Sequence, residues 1–413
     1  MDQFDVNSFL KFGYNLNYKN NDYIFDLSGI DKEKYKDLSE NDLIEIGKKK
    51  FLESFFKLFD SEDRHVVPLS GGLDSRAILG ALLNFTKPEN IYTYTFGVPG
   101  TLDYEIGNLI ARKIGTRHTC FNLNEFMFSQ NDLLVSSKNV DGQTVLFHQP
   151  PIKELLNKFS DAKIWSGFMG DPLAGSHLVL DASSNIQKIK DTFISKNTFV
   201  KSYEFTNFGN KDFYEYIYFP NYDLSKVSIY EQIDFFNRQL KYIAPHVLLK
   251  GFNYILPFLE TTWFNFILSV DNKYRKNERL YRKIILSLFP DLFRYPTKTK
   301  FGARLNSSRL IVLLNKIKNK VKQKSSSIFP FVVDPYINYI DFNDAIRKRV
   351  DLNTLIHSNI MDLKKRNIIN EIDINEIWER HIKKTSNHAD LLLVLASLEI
   401  HFKASEMKEN LEG

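Results

Sequence analysis

The stretch HVVPLSGGLDSRAILGALL, residues 65–83, sets Ser70, Gly71 and Gly72 between an apolar run and a helical pattern, with Asp74 and Ser75 close behind. A glycine pair at such a junction can take positive φ and let backbone N–H groups approach an anion, and the helix that follows adds its partial positive charge. Ser70 and Ser75 can donate hydroxyl hydrogen bonds, so the residue types suit a phosphate. Asp74 does not, because a carboxylate beside bound phosphates repels them unless a divalent cation lies between. The simplest occupant is a nucleotide with Mg²⁺. The string is not a P-loop, since it has no G-x-x-x-x-G-K and no lysine.

These residues work together only if VVPL is a strand and Ser75 opens a helix. The flanking pattern agrees: a helix at SRAILGALLNF, strand IYTYTFG, helix LDYEIGNLIARKIG, a short strand at HTCFNL and a buried strand at KIWSG. Alternating strands and helices imply a parallel sheet with helices on both faces, which binds ligands at the carboxyl ends of its strands. Before it, SENDLIEIGKKKFLESFFKLF reads as a helix with Ser39 as N-cap. Beyond about residue 185 the strand signal fades, and helices are broken by FPNYD, LPFLE and IFPFVVDP. The expected organisation is an N-terminal segment (1–60), an α/β nucleotide-binding domain (61–185) and a mainly helical part (186–413).

Of the 413 residues, 43% are hydrophobic and 25% charged, enough to bury a sizeable core. A net charge of +5 from 55 basic and 50 acidic residues predicts no dominant polyanion-binding surface, so nucleic acid is not expected as a partner. The run NKIKNKVKQKSSS, 315–327, has Lys at every second position; it reads as a solvated helix end and mobile linker, with an anionic partner such as RNA as the alternative. Cys120 is the single cysteine. It excludes an intrachain disulfide and a Cys-rich zinc site, and reads as a buried, small apolar residue of a reducing compartment. The start MDQFDVNSFLKFGY has no signal pattern, and no stretch approaches the roughly 18 uncharged apolar residues of a membrane span. A cytoplasmic location without a membrane partner is expected.

SGGLDS after an apolar strand resembles the pyrophosphate loop of the ATP pyrophosphatase superfamily, and its Leu-Asp-Ser form resembles the asparagine synthetase branch. TFGVPGTLDYEIGNLIARKIGTRH (95–118) is similar to that family's second strand and helix, and IWSGFMGDPLAGSH (164–177) to its S-G-x-G-x-D-E signature. LPFLETTWFNFILSV resembles the R-x-P-F-L-D segment, LFPDLFRYPTKTKFG the segment ending in K-x-G, and HADLLLVLASLEIHF the closing helix. The resemblance implies an adenine nucleotide α-hydrolase-like fold that splits ATP to AMP and pyrophosphate, adenylates a carboxylate, and lets ammonia or an amine form the amide. It also implies roles. The backbone of Ser70, Gly71 and Gly72 and the Ser75 hydroxyl would hold pyrophosphate; Asp74 and Asp171 would anchor Mg²⁺; Leu69, Phe96, Gly97 and Gly167 would frame the adenosine. Lys300 would neutralise charge at the α-phosphate, with Lys298 as the competing candidate.

Three departures shape what is expected of the substrate. The family's complete enzymes carry an N-terminal cysteine nucleophile on a glutamine-hydrolysing domain, whereas here Asp2 follows Met1 and FLKFGYNLNY (9–18) resembles the linker behind such a domain. The nitrogen is therefore expected from free ammonia, a substrate amine or a separate amine-supplying subunit. The signature's first glutamate is Phe168, its second glycine Met169, and its Asp-Glu pair Asp171-Pro172. Phe cannot accept a proton, so asparagine is only one candidate product, and His148, His177 and His246 are the alternative bases. GFNYILPFLE also lacks the basic and acidic pair before Pro-Phe. The competing readings are a tRNA-modifying enzyme of the superfamily and a catalytically inactive ATP-binding homologue.

Overall fold

Val66 and Val67 point to opposite faces of one short strand and both are fully buried, as a strand covered on both sides requires. That strand lies at the centre of a computed structural model that describes residues 3–19, 23, 25–179, 185–326, 328–329 and 332–412. Five strands form one sheet: β1 His65–Pro68, β2 Ile91–Gly97, β3 Arg117–Asn122, β4 Lys163–Trp165 and β5 Asn253–Ile255. Every pairing is parallel and the order is β3-β2-β1-β4-β5. The chain runs outward from β1 to β3 and then returns to the other side of β1. The crevice where this order reverses, between the carboxyl ends of β1 and β4, is the place such sheets bind ligands.

The helix Glu40–Leu58 starts where its sequence says it should. Ser39 Oγ accepts the Asp42 N–H at 3.2 Å while the Asp42 carboxylate accepts the Ser39 N–H at 3.2 Å, a reciprocal capping box. Its buried side holds Leu43, Phe51 and Phe55, and Phe55 stacks on Trp165 of β4 with ring centroids 5.4 Å apart. Each such aromatic removes enough apolar area from water to be worth about 1.5–3 kcal/mol. On the opposite face of the sheet, Val66, Tyr94 and Ile164 pack against Leu155 and Phe159 of the helix Ile152–Phe159. A second large core joins Phe9 of the helix Gln3–Phe12 to Ile356 of Val350–Lys365 and Leu395 of Ala389–Glu412.

β5 was not legible as a strand: it is three residues long, Asn-Tyr-Ile, and only its pairing with β4 identifies it. It comes from beyond residue 185, as do Trp263, Phe266 and Ile284, which share one core with Phe51, Phe55, Ile78 and Trp165. The lysine run is a solvated helix end, as read, with Lys316, Lys318, Lys320, Lys322 and Lys324 exposed on the C-terminal part of the helix Arg309–Ser326, but residues 315–326 are helical throughout and form no linker. Cys120 is exposed rather than buried, because β3 is an edge strand whose residues are largely half-buried or exposed. Among the described residues no helix is long and apolar enough to cross a membrane.

Candidate active site

The turn after β1 is built from its own side chains. Ser70 N–H donates to Ser75 Oγ at 3.2 Å, and Gly72 N–H donates to Ser70 Oγ at 3.2 Å. Neither Gly71 nor Gly72 uses positive φ, contrary to the conformational reading of the pair. Gly71 is needed for space: a methyl group there would meet the Asp103 carboxylate and Lys298 Cβ, each at 3.2 Å. The helix Asp74–Leu82 follows with Leu73 at the N-cap and no side-chain cap. Its first N–H groups are therefore left for solvent or a ligand.

Asp74 points from this helix toward the turn after β4. Its carboxylate accepts a hydrogen bond from Tyr281 Oη at 2.9 Å and another from the Asp171 backbone N–H. A methyl group at Gly170 would come within 2.6 Å of the Asp74 carboxyl carbon, so only glycine admits this approach. Met169, just before it, holds φ at 67°, a left-handed conformation in which a glycine would be unstrained. Burial, and next the charge of Asp171, push the Asp74 carboxyl well above the usual carboxylate range.

Asp171 sits half-exposed on the same side of the turn, accepting from Ser176 Oγ at 3.2 Å. His177 bridges outward, with Nδ1 3.0 Å from the buried Asp234 carboxylate and Nε2 3.7 Å from that of Asp171. Burial opposes charge on His177, but the hydrogen bond to Asp234 and the charges of Asp234 and Asp171 outweigh it and raise its pKa. Two oxygen-donor carboxylates that repel one another suit Mg²⁺, which takes one or two carboxylates and fills its shell with phosphate and water oxygens. Among the described residues no group of three or more His, Cys, Asp or Glu could hold a metal ion.

Beside the loop, a cavity of about 270 Å³ is lined by Leu69, Ser70, Phe96, Asp103, Lys298 and Tyr339, among others. Leu69 and Phe96 of the expected adenosine frame line it; Gly97 and Gly167 do not, Gly97 lying near the Asn338 carbonyl and Gly167 against Asp74 Cβ. Lys298 N–H donates to Gly71 O at 2.9 Å, and its ammonium reaches both Asp103 and Asn338 Oδ1. Lys300 is half-buried in the same turn but does not line the cavity. Tyr339 stacks near Phe96, ring centroids 6.2 Å apart, so the segment around it roofs the carboxyl end of β2.

Three residues here escaped the sequence pattern. Asp103 accepts the Gly71 N–H at 3.1 Å as well as the Lys298 ammonium, so a carboxylate sits where the loop would meet an anion. Nothing in LDYEIGNL marks it, because the contact spans 32 residues. Asn338 comes from a loop without a motif. Arg238 lies on a π-helical segment, Asp234–Ile243, where its charge acts on His177, Tyr230, Tyr242 and His246. Single-turn widenings of this kind recur at functional sites, and here the widening runs through ten residues. Phe168 is buried against Tyr23, ring centroids 6.1 Å apart, and offers no polar atom. His148 and His246 are enclosed and kept neutral, burial lowering them to about 3 and about 4.

Residues 53–134 match the asparagine synthase family model. The matched stretch covers about a fifth of the chain and includes the loop, Asp74, β2, Asp103 and β3. The turns that carry Asp171 and Lys298 lie outside it. The family is one of ATP-dependent ligases. No curated protein sequence matches the chain.

Proposed function

We propose that the protein is an ATP-dependent, AMP-forming amide ligase that adenylates a small-molecule carboxylate and passes the acyl group to ammonia or an amine. One observation carries the reading: the Ser70–Ser75 loop and the Asp171 turn meet at the reversal point of the sheet, with the Asp74 carboxylate held between them. In this reading a carboxylate oxygen of the substrate attacks the α-phosphorus of ATP, and the bond to the bridging oxygen of the β-phosphate breaks. Asp74 and Asp171 would hold Mg²⁺, which stabilises charge on the departing pyrophosphate. Ser70, Gly71, Gly72 and Ser75 bind that pyrophosphate through backbone N–H groups and hydroxyls. Lys298, released from Asp103, neutralises the α-phosphate. Leu69, Phe96, Gly97 and Tyr339 enclose the base.

His177, whose neighbours favour its charged form, adds positive charge beside Asp171 and is a poor proton acceptor. Arg238, whose charge is felt at His177, is assigned to the anionic group of the substrate. Phe168 makes the wall beside the acyl group apolar, so the nitrogen nucleophile arrives as its neutral base, attacks the acyl carbon as the bond to the AMP oxygen breaks and AMP departs, and its proton leaves to solvent.

The test is incubation with α-labelled ATP, Mg²⁺ and aspartate plus ammonia, then with a small-molecule extract of the host, resolving AMP from ADP. AMP from the wild type and none from Asp74→Ala is the expected outcome, and the mixture that supports it identifies the substrate class. ADP as the sole product overturns the α-phosphate mechanism. Tight Mg-ATP binding with no turnover on either mixture favours the non-catalytic reading that Phe168 and the Asp103–Lys298 pair support.

A further inference from the structure

The helix Arg309–Ser326, RLIVLLNKIKNKVKQKSS, faces the wrong way for a soluble protein. A helix on a globular surface normally turns its apolar stripe to the core and its charges to water. Here the side facing the protein is narrow: Asn319 is the one buried residue and donates from Nδ2 to Phe301 O at 2.9 Å, with Val312 half-buried beside it and Gln323 Nε2 donating to Asp334 Oδ2 at 2.9 Å. At 100° per residue, Leu310, Leu314, Ile317 and Val321 fall on the opposite side in one stripe. They are 65, 58, 51 and 59% exposed. Leu313 extends the stripe and is 52% exposed.

The same geometry sorts the lysines. Lys316, Lys320 and Lys324 flank the stripe on one side, Lys318 and Lys322 on the other, which is what Lys at every second position produces on a helix. From Lys298 to Val333 there are nine Lys and Arg and no Asp or Glu. The rest of the chain has 46 basic residues against 50 acidic ones, so the positive charge of the protein is concentrated in this one segment.

We infer that this helix is an interfacial anchor for an anionic lipid bilayer, lying in the plane of the membrane surface. An outward apolar stripe between two rows of lysines is the arrangement such helices use: the aliphatic chains enter the acyl boundary and the ammonium groups snorkel to the headgroups. With five lysines in 18 residues the helix lies on the bilayer and does not span it. The sequence-based expectation of no membrane partner tested only for a span. The alternatives fit less well. Two copies packed stripe to stripe would set lysine rows against lysine rows with no acidic partner, and RNA would meet the cations but leave the aliphatic stripe in water. Eight residues, 301–308, separate the anchor from the turn that carries Lys298 and Lys300, and Asn319 ties it to the Phe301 carbonyl at the end of that turn. It stands whether or not the protein is a ligase.

The test is co-sedimentation of the full chain with vesicles of phosphatidylcholine alone and of phosphatidylcholine with phosphatidylglycerol, at low and physiological salt. Binding to the phosphatidylglycerol vesicles, at least tenfold weaker on the neutral ones and falling as salt rises, is the expected result. Ile317→Glu, at an exposed position, is expected to lower partitioning at least tenfold while leaving thermal stability and nucleotide turnover as in the wild type. Lys318→Gln with Lys322→Gln should lower it about fivefold per lysine. Absence of binding to phosphatidylglycerol vesicles, or wild-type binding by Ile317→Glu, overturns the proposal. So does a dimer in light scattering that Ile317→Glu dissolves, or RNA binding that only the lysine substitutions remove.

Discussion

Asp74 is a carboxylate in surroundings that disfavour its charge: it is enclosed, and Asp171 adds a second negative group nearby. Its folded pKa is raised above the unfolded value, so the native state holds its proton more tightly than the unfolded chain does. The resulting destabilisation is absent below about pH 4, the ordinary carboxylate value, and grows as pH rises toward the raised one. Asp74→Asn is therefore expected to raise the melting temperature of the Mg²⁺-free protein, by more at pH 8 than at pH 5, while abolishing AMP formation. Parallel melting profiles for the two proteins across that range would show that Asp74 is not the strained group. Lys298 and Lys300 are separated by the same logic of placement. Lys298→Ala is expected to lower turnover about 10²–10³-fold, the loss associated with one preorganised donor at a developing charge. Lys300→Ala should cost less than about tenfold, and the reverse ranking in single-turnover rates would move the catalytic role to Lys300.

The element that decides the second half of the site is the five-residue helix Gly170–Ala174, too short to hold itself in place. Arg275 holds it. Its guanidinium donates to Leu173 O at 2.9 and 3.1 Å and pairs with Glu231 at 2.8 Å, and both charged side chains are buried. Glu231 is itself fixed at the start of its helix by Ser228. Removing the cation leaves a buried, uncompensated carboxylate and frees the Leu173 carbonyl. Arg275→Ala is expected to destabilise the protein by about 3–5 kcal/mol in denaturant melts, and the double change with Glu231→Gln should recover part of that loss. Additive losses in the double mutant would indicate that the pair is not coupled.

Across the whole molecule, the core does not respect the change in sequence pattern near residue 185. β5 pairs with β4, and Trp263, Tyr281 and Ile284 fill the space around Phe51 and Phe55. A fragment of residues 1–185 would expose β4 as an edge and uncover Trp165, a buried tryptophan. Such a fragment is expected to lack a cooperative unfolding transition and near-ultraviolet circular dichroism. A cooperative transition would establish residues 1–185 as an independent domain. The full chain with Mg-ATP at a hundredfold its Kd should gain about 2.7 kcal/mol of stability.

The sequence by itself determined what depends on near neighbours. The strand–loop–helix around Ser70, the capping box at Ser39 and the alternation of β1 to β4 with helices follow from residue type and spacing, because their forces act within a few residues. Tertiary structure decided whatever rests on contacts between distant residues. It put Asp103 on Gly71 and Lys298, set Asp74 against Gly170 and Tyr281, recruited three residues as β5, and brought Arg238 to His177. The lysine run shows the division most plainly. Its spacing gives the angular positions of lysines and aliphatic residues on a helix, but which side meets water depends on what the rest of the chain packs beneath it. Here that is a narrow seam at Val312, Asn319 and Gln323, which leaves the apolar stripe outside.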